Sequence, residues 1–186
     1  MKRLTFLRLI LAAAAALTMT GAFGQSYPTR PVRVIIPFPP GGTLDTLGRA
    51  LAQKLSEQMG QQFVVENKPG GNGIIGADAV AKAPADGYTL LFNASTFVTA
   101  PMTMKQVPYA IEKDFVPIAL VAKAPLSVSI AKDLPVTDIK SLIAYAKANG
   151  SKTTFAVGSI GSAGHLATEL LKRAGGIDYT VVPYKG

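Results

Sequence analysis

The sequence predicts an α/β fold built from two lobes, each with a mainly parallel sheet. Short apolar runs alternate with amphipathic segments of about ten or more residues, the pattern of parallel strands joined by helices. Between about residues 108 and 133 the chain stays extended without a helical pattern. A long extended connection between two α/β blocks is typical of a crossover between lobes. We therefore expect lobe 1 over residues 25–124 and lobe 2, as a partial α/β lobe with a hinge before it, over residues 125–186.

Lobe 1 opens with a buried strand and an amphipathic helix. Val32–Phe38 is an apolar run typical of a buried strand, and Thr43–Met59 has leucines on one helical face with Thr43 at the cap position. The other predicted elements are strands over Gln62–Asn67 and Thr89–Asn93, helices over Ile74–Ala83 and Phe97–Met104, and extended segments over Asp114–Leu120 and Leu126–Ala131.

Lobe 2 resumes the alternation of helix and strand. Asp138–Asn149 is predicted to be a helix capped by Thr137, and Gly150 follows its end. The chain then predicts a strand over Thr153–Val157, a helix over Ala163–Ala174 and a last strand over Tyr179–Pro183.

The first 24 residues have the layout of a secretory signal peptide. Lys2, Arg3 and Arg8 precede an uncharged apolar run over Leu9–Phe23, and small residues mark a cleavage site after Gly24. The apolar run is shorter than the roughly 20 residues that span a membrane. The sequence therefore predicts an exported protein in the periplasm. Because the chain has no Cys, lipoprotein anchoring and disulfides are both excluded.

Composition favours a soluble binder of small anions. Removing the three signal-peptide charges from the formal net charge of +8 leaves +5, spread over single Lys and Arg residues. A nucleic-acid binder would have clustered basic patches with aromatic residues between them. One His and no Cys cannot make a typical zinc site, so no metal and no cofactor are expected.

Three polar turns at the carboxyl ends of predicted strands are candidates for a binding site. In open α/β sheets, ligands lie in the crevice beyond these strand ends, and helix N-termini offer free N–H groups to anions. The first turn spans residues 37–45, the second spans residues 157–165, and the third contains Asn93, Ser95 and Thr96. Turns on facing lobes would hold a carboxylate from both sides.

Several motifs, in order, resemble one family. They are the sequences PVRVIIPFPPGGTLD at 31–45, VVENKPGGNGIIG at 64–76, ADGYTLL at 85–91, DFVPI at 114–118, GSIGSAGH at 158–165 and VPYKG at 182–186. These segments look like the signatures of the Bug family of periplasmic solute-binding proteins, also called the TctC-type receptors of tripartite tricarboxylate transporters.

The resemblance implies a type II periplasmic-binding-protein fold that closes on a small carboxylate or related polar solute. It also implies that this solute is delivered to a membrane permease without chemical change. We expect the protein to be a monomer. The ligand-binding positions that it implies are Phe38, Gly41, Gly42, Thr43, Asp45, Gly158, Ser159, Gly161, Ser162 and His165. Asp45 has two interpretations: it bonds its own helix start, or it accepts from an amine of an amino-acid-like solute.

The sequence departs from the family in its length. Members continue for more than a hundred residues after the Tyr-Lys-Gly motif that stands here at 184–186. We therefore expect a truncated member with an incomplete second lobe, unstable and weakly binding in isolation. A non-functional truncated receptor is one alternative function.

Two enzyme classes are further alternatives. An exported serine hydrolase would use Ser159 or Ser162 with His165, but the spacing does not fit a G-x-S-x-G nucleophile elbow. A nucleotide-dependent oxidoreductase would use the G-x-G-x-x-G match at 71–76, yet the next strand ends in Asn93 where an acid should hold the ribose. Neither pattern outweighs the interpretation as a non-enzymatic receptor.

Overall fold

The computed structural model describes residues 26–184, and the predicted signal peptide lies outside them. Strands and helices alternate over most of this range, as the sequence predicts. The strands are β1 (Val32–Ile36), β2 (Phe63–Asn67), β3 (Thr89–Leu91), β4 (Thr154–Val157) and β5 (Thr180–Pro183). The helices are α1 (Thr43–Met59), α2 (Ile74–Ala81), α3 (Thr96–Thr103), α4 (Ile111–Asp114), α5 (Ile139–Asn149) and α6 (Ala163–Gly175).

Lobe 1 contains a parallel sheet with the strand order β2-β1-β3. The central strand β1 is its most buried element, and Val32 and Ile36 have no exposed surface. Gly48 of α1 packs against Ile36, and Gly76 of α2 packs against Pro37; a Cβ on either glycine would lie within 2.6 Å of these side chains. Because consecutive strand residues point to opposite faces, α1 and α2 cover opposite faces of the sheet.

This topology determines where lobe 1 can bind a ligand. The chain leaves β1 toward β2 through α1, and then returns past β1 to β3 through α2. The chain thus leaves β1 toward one side of the sheet, while β3 lies on the other side, and the crevice where open α/β sheets bind ligands adjoins the carboxyl ends of β1 and β3. The turn after β1 lies at this crevice.

Lobe 2 contains a two-stranded parallel sheet, β4-β5, with α5 and α6 packed beside it. Its core is small: Ala146, Ile177 and Tyr179 are buried, and Phe155 and Leu171 pack against them. The Tyr179 hydroxyl donates a hydrogen bond to the carbonyl oxygen of Thr168 on α6. Leu170, also on α6, is 68% exposed, so much of this helix has no apolar cover among the described residues.

Both predicted helix caps are wrong by one residue. Gly42 is the cap of α1 and Thr43 is its first helical residue. Asp138, rather than Thr137, caps α5, because its carboxylate accepts from the Ser141 N–H while the Ser141 hydroxyl bonds back to the Asp138 N–H. A carboxylate is a better acceptor than a hydroxyl for this reciprocal pair.

Residues 115–131 form neither a helix nor a strand. Their apolar side chains alternate in the strand pattern, yet Val116, Ile118 and Leu120 are 87%, 79% and 73% exposed. No described strand pairs with this segment. The lobe boundary predicted near residue 124 falls inside it and stays a prediction.

Candidate functional site

The first turn leaves N–H groups of α1 free to bind an anion. Gly42 has no side chain to cap the helix, and no described side chain accepts from the N–H groups of Thr43 or Leu44. The first N–H groups of a helix have no intrahelical acceptor and carry the positive end of its dipole. The start of α1 therefore presents donors at the carboxyl end of β1.

Asp45 holds this turn in place. Its Oδ2 accepts from the Gly41 N–H at 2.9 Å and from Arg49 Nε at 3.0 Å, and its Oδ1 accepts from Asn67 Nδ2 at 2.9 Å. Asn67 Nδ2 also donates to the Phe38 carbonyl oxygen at 3.0 Å. The hydrogen bond from Arg49, followed by those from Gly41 and Asn67, holds the pKa of the Asp45 carboxyl well below its usual range.

Asp45 is 4% exposed, and both its oxygens already have partners within lobe 1. This arrangement favours the interpretation that Asp45 bonds its own helix start. Arg49 beside it also balances the negative charge that would otherwise repel a bound carboxylate.

The second turn is held by His165 and Ser162. The Gly161 N–H donates to His165 Nδ1 at 3.1 Å, and the His165 N–H donates to Ser162 Oγ at 3.2 Å. His165 Nε2 lies 4.0 Å from Glu169 Oε1. Ser162 therefore caps α6, and the imidazole nitrogen nearest the turn is occupied by a backbone N–H. No serine hydroxyl of the described residues donates to His165, so the geometry does not support the serine hydrolase alternative.

The third turn carries buried polar atoms without partners. Asn93 Oδ1 accepts from the Ala94 N–H at 2.7 Å, but Asn93 Nδ2 and Thr96 Oγ1 are buried and make no hydrogen bond within the described residues. Ser95 is the cap residue of α3, without a capping side-chain bond. Buried polar atoms that lack a partner are uncommon in proteins and often adjoin a functional site.

Two hydrogen bonds join the lobes at the second turn. Asn72 Nδ2 donates to the Ile160 carbonyl oxygen at 2.6 Å, and Thr99 Oγ1 donates to the Gly161 carbonyl oxygen at 2.6 Å. Asn72 and Thr99 belong to lobe 1. The turn of lobe 2 is thus fixed to lobe 1 through two consecutive main-chain carbonyls.

A cavity of about 620 Å³ lies between the lobes at these turns. From lobe 1 it is lined by residues 37–39, residues 69–73 and Met104; from lobe 2 it is lined by Ser159, Ile160, Pro183 and Tyr184. Phe38 and Ser159, both predicted site residues, therefore line one cleft. The other predicted site residues are not among those that line it: Gly41, Gly42, Thr43, Asp45, Asn93, Ser95, Thr96, Gly158, Gly161, Ser162 and His165.

Sequence reasoning missed the Gly-rich turn after β2 as part of the site. Residues 69–73 line the cleft, and Asn72 bonds to lobe 2. The signal was available: this turn also follows the carboxyl end of a parallel strand, where ligands bind. The sequence places this turn in a family signature at 64–76, but the only binding motif that it offers there is the nucleotide match at 71–76, which it does not fit.

A second cavity, of about 540 Å³, lies between α1 and β2 and contains no predicted site residue. No three His, Cys, Asp or Glu residues in the described range are grouped to hold a metal ion. Among residues 26–184, no helix is long and apolar enough to cross a membrane.

The comparisons with known proteins agree with the motifs. The model of the tripartite tricarboxylate transporter family receptor, TctC, matches residues 47–186. The chain therefore belongs to this receptor family, which is the family that the sequence indicated. Its α/β fold with parallel sheets is that of solved periplasmic binding proteins, and the prediction of the fold class is confirmed.

Three relatives illustrate the similarity. Protein BugT of Bordetella pertussis is 41% identical over 167 residues, which are 87% of this chain and 50% of BugT. The structure of R. palustris Rpa4515 with adipate is 42% identical with a TM-score of 0.83, over 86% of this chain and 54% of that one. The structure of MatC from Rhodopseudomonas palustris with bound malate is 29% identical with a TM-score of 0.71, over 86% of this chain and 55% of that one. The chain spans about half the length of the relatives that it matches.

Proposed function

We propose that this protein is an exported receptor that captures a small carboxylate between its two lobes and delivers it to a tripartite tricarboxylate-type permease. The observation that carries the proposal is that the turns after β1 and β4 reach one cleft, which Phe38 and Ser159 both line. Structures of similar proteins are described with adipate and with malate, both small dicarboxylates.

The binding mode follows from the chemistry of the two turns. Free N–H groups at the start of α1 and the Ser159 hydroxyl are neutral donors that suit a carboxylate. Gly41, Gly42 and Thr43 contribute from lobe 1, and Gly158, Gly161, Ser162 and His165 shape the facing turn. Asn93, Ser95 and Thr96 contribute from the third turn, where unpartnered polar atoms are buried. The solute leaves unchanged, so the protein is not an enzyme.

A receptor of this class would be exported to the periplasm and would have a membrane permease as its partner. The signal peptide over residues 1–24 would be removed on the way to the periplasm. The receptor would act there as a monomer and meet permease subunits only at the membrane surface. The same function would also suit an amino-acid-like solute, which carries an amine together with the carboxylate.

Isothermal titration calorimetry on the full-length exported protein, without its signal peptide, tests the proposal. Adipate, malate, citrate and glutamate form the panel, and adipamide is the uncharged counterpart of adipate. We expect at least one carboxylate to bind and adipamide to bind at least about tenfold more weakly, since a hydrogen bond to a charged group contributes about 1.5–3 kcal/mol. Equal binding of adipate and adipamide, or no binding of any carboxylate, would refute the proposal.

Ser159→Ala tests the contribution of lobe 2. It should weaken carboxylate binding about tenfold or more, because the hydroxyl can donate directly to an anion in the cleft. Ser151→Ala is the matched control, since Ser151 is exposed and lies outside the residues that line the cleft.

A further inference from the structure

The walls of the cleft are mainly apolar. Phe38 and Met104 contribute from lobe 1, and Ile160 and Tyr184 contribute from lobe 2. Four prolines, at positions 37, 39, 69 and 183, complete the apolar lining. Apolar walls of this kind stabilise a ligand in proportion to the hydrocarbon surface that it buries.

Polar side chains are few along the same walls. Among the described residues that line the cleft, none carries a charge, and only Asn72, Ser159 and Tyr184 have polar groups in their side chains. Asn72 already gives an N–H to the Ile160 carbonyl oxygen, and its Oδ1 can only accept. The hydroxyls of Ser159 and Tyr184 are thus the side-chain donors, and the remaining donors are backbone N–H groups at the turns.

This division limits the chemistry of the solute. Its carboxylate must meet the donors at the turns, whereas the rest of the molecule must contact the apolar walls. A hydroxyl buried against such a wall loses its bonds to water without replacement, which weakens binding about fivefold or more for each unpaired hydroxyl. A methylene in the same place strengthens binding about fourfold.

We propose, on the basis of the proposed function, that the solute is a carboxylate with a hydrocarbon body rather than a hydroxylated di- or tricarboxylate. Phe38 and Ile160 act as the residues that determine this specificity. The cleft thereby distinguishes solutes by the part of the molecule that lies away from the carboxylate.

Adipate and galactarate provide a matched pair for the test, because galactarate is adipate with a hydroxyl on each of its four inner carbons. Calorimetry on the full-length exported protein, without its signal peptide, should give a dissociation constant at least about tenfold lower for adipate than for galactarate. Benzoate should also bind more tightly than citrate.

Ile160→Ser tests the apolar wall directly. It should reduce the ratio of the dissociation constants of galactarate and adipate severalfold. Ile160 is 44% exposed and lies in a turn, so the substitution leaves the core intact. Ile139→Ser is the control, because Ile139 is 50% exposed and lies on α5 outside the cleft.

The outcomes separate this inference from the proposed function. If galactarate or citrate binds as tightly as adipate, the inference is wrong while the receptor function stands. If Ile160→Ser changes the binding of adipate and galactarate by the same factor, Ile160 does not determine specificity and the inference is wrong. If none of the carboxylates binds, both are wrong.

Discussion

Replacing Gly161 with Ala should disturb the contact between the lobes at the second turn. Gly161 is buried with φ +77°, and a Cβ there would lie 2.8 Å from Thr103 Oγ1 on α3. The left-handed conformation costs an alanine about 1–2 kcal/mol. Thr103 is β-branched and its hydroxyl is bonded to the Thr99 carbonyl oxygen at 2.9 Å, so it yields with difficulty. Overpacking of this kind adds about 1–3 kcal/mol to the loss in free energy of unfolding of Gly161→Ala.

Gly60→Ala provides the matched control for the backbone effect. Gly60 has φ +70°, and no atom lies within 4 Å of the position of its Cβ. Urea denaturation should therefore show a loss in free energy of unfolding of about 1–2 kcal/mol for Gly60→Ala and a clearly larger loss for Gly161→Ala.

Thr103→Ala in the Gly161→Ala background should restore about 1–3 kcal/mol, because the clashing hydroxyl is removed. The double-mutant cycle isolates this clash from the backbone strain. Equal losses for the two glycine variants, or a coupling energy near zero, would show that the second turn does not pack on α3 as described.

Three further predictions concern the two turns. Because the pKa of Asp45 is depressed in the folded protein, the carboxylate stabilises the fold above about pH 4, and this contribution is lost as the pH falls further. The variant Asp45→Asn has no carboxyl group to protonate, so it should lose less stability than the unsubstituted protein between pH 6 and pH 3. Thermal melting over this pH range measures the difference. Asn72→Gly removes the hydrogen bond to the Ile160 carbonyl oxygen, while glycine tolerates the φ of +58° at this position. Calorimetry should show that the affinity for the solute falls about twofold to tenfold. An unchanged affinity would mean that this hydrogen bond does not contribute to closure of the lobes. Ser162→Ala removes the cap of α6 and should lower the free energy of unfolding by about 1 kcal/mol. If the unsubstituted protein hydrolyses esters and this variant does not, the result would support the hydrolase alternative.

Much of the fold could be predicted because local patterns and tertiary structure agree. The apolar run of β1 is buried on both faces, and the amphipathic pattern of α1 matches a helix that covers one side of the sheet. The predicted bounds of α1 are those observed. The caps at Gly42 and Asp138 differ from the prediction by one residue, because Gly42 caps α1 without any side-chain bond and the reciprocal bonds with Ser141 place the start of α5 at Asp138.

The candidate site was only partly predictable. The turns after β1 and β4 could be found because glycines and hydroxyls cluster at the ends of strands. The choice between the two interpretations of Asp45 could not be made, because it depends on Asn67, which lies 22 residues away in sequence. The inter-lobe bonds of Asn72 and Thr99 span 88 and 62 residues, and their acceptors are main-chain carbonyls that have no sequence signature.

The use of main-chain carbonyls to join the lobes has a consequence for how such a receptor can diverge. Asn72 bonds to the backbone of Ile160, while the side chain of Ile160 lines the cleft. A substitution at this position changes the surface that the solute meets and leaves the acceptor for Asn72 in place. Under the proposed function, closure would use the backbone of Ile160 and selectivity would use its side chain. Duplicated copies of the gene could acquire new solutes at this position without losing the contact that holds the lobes together.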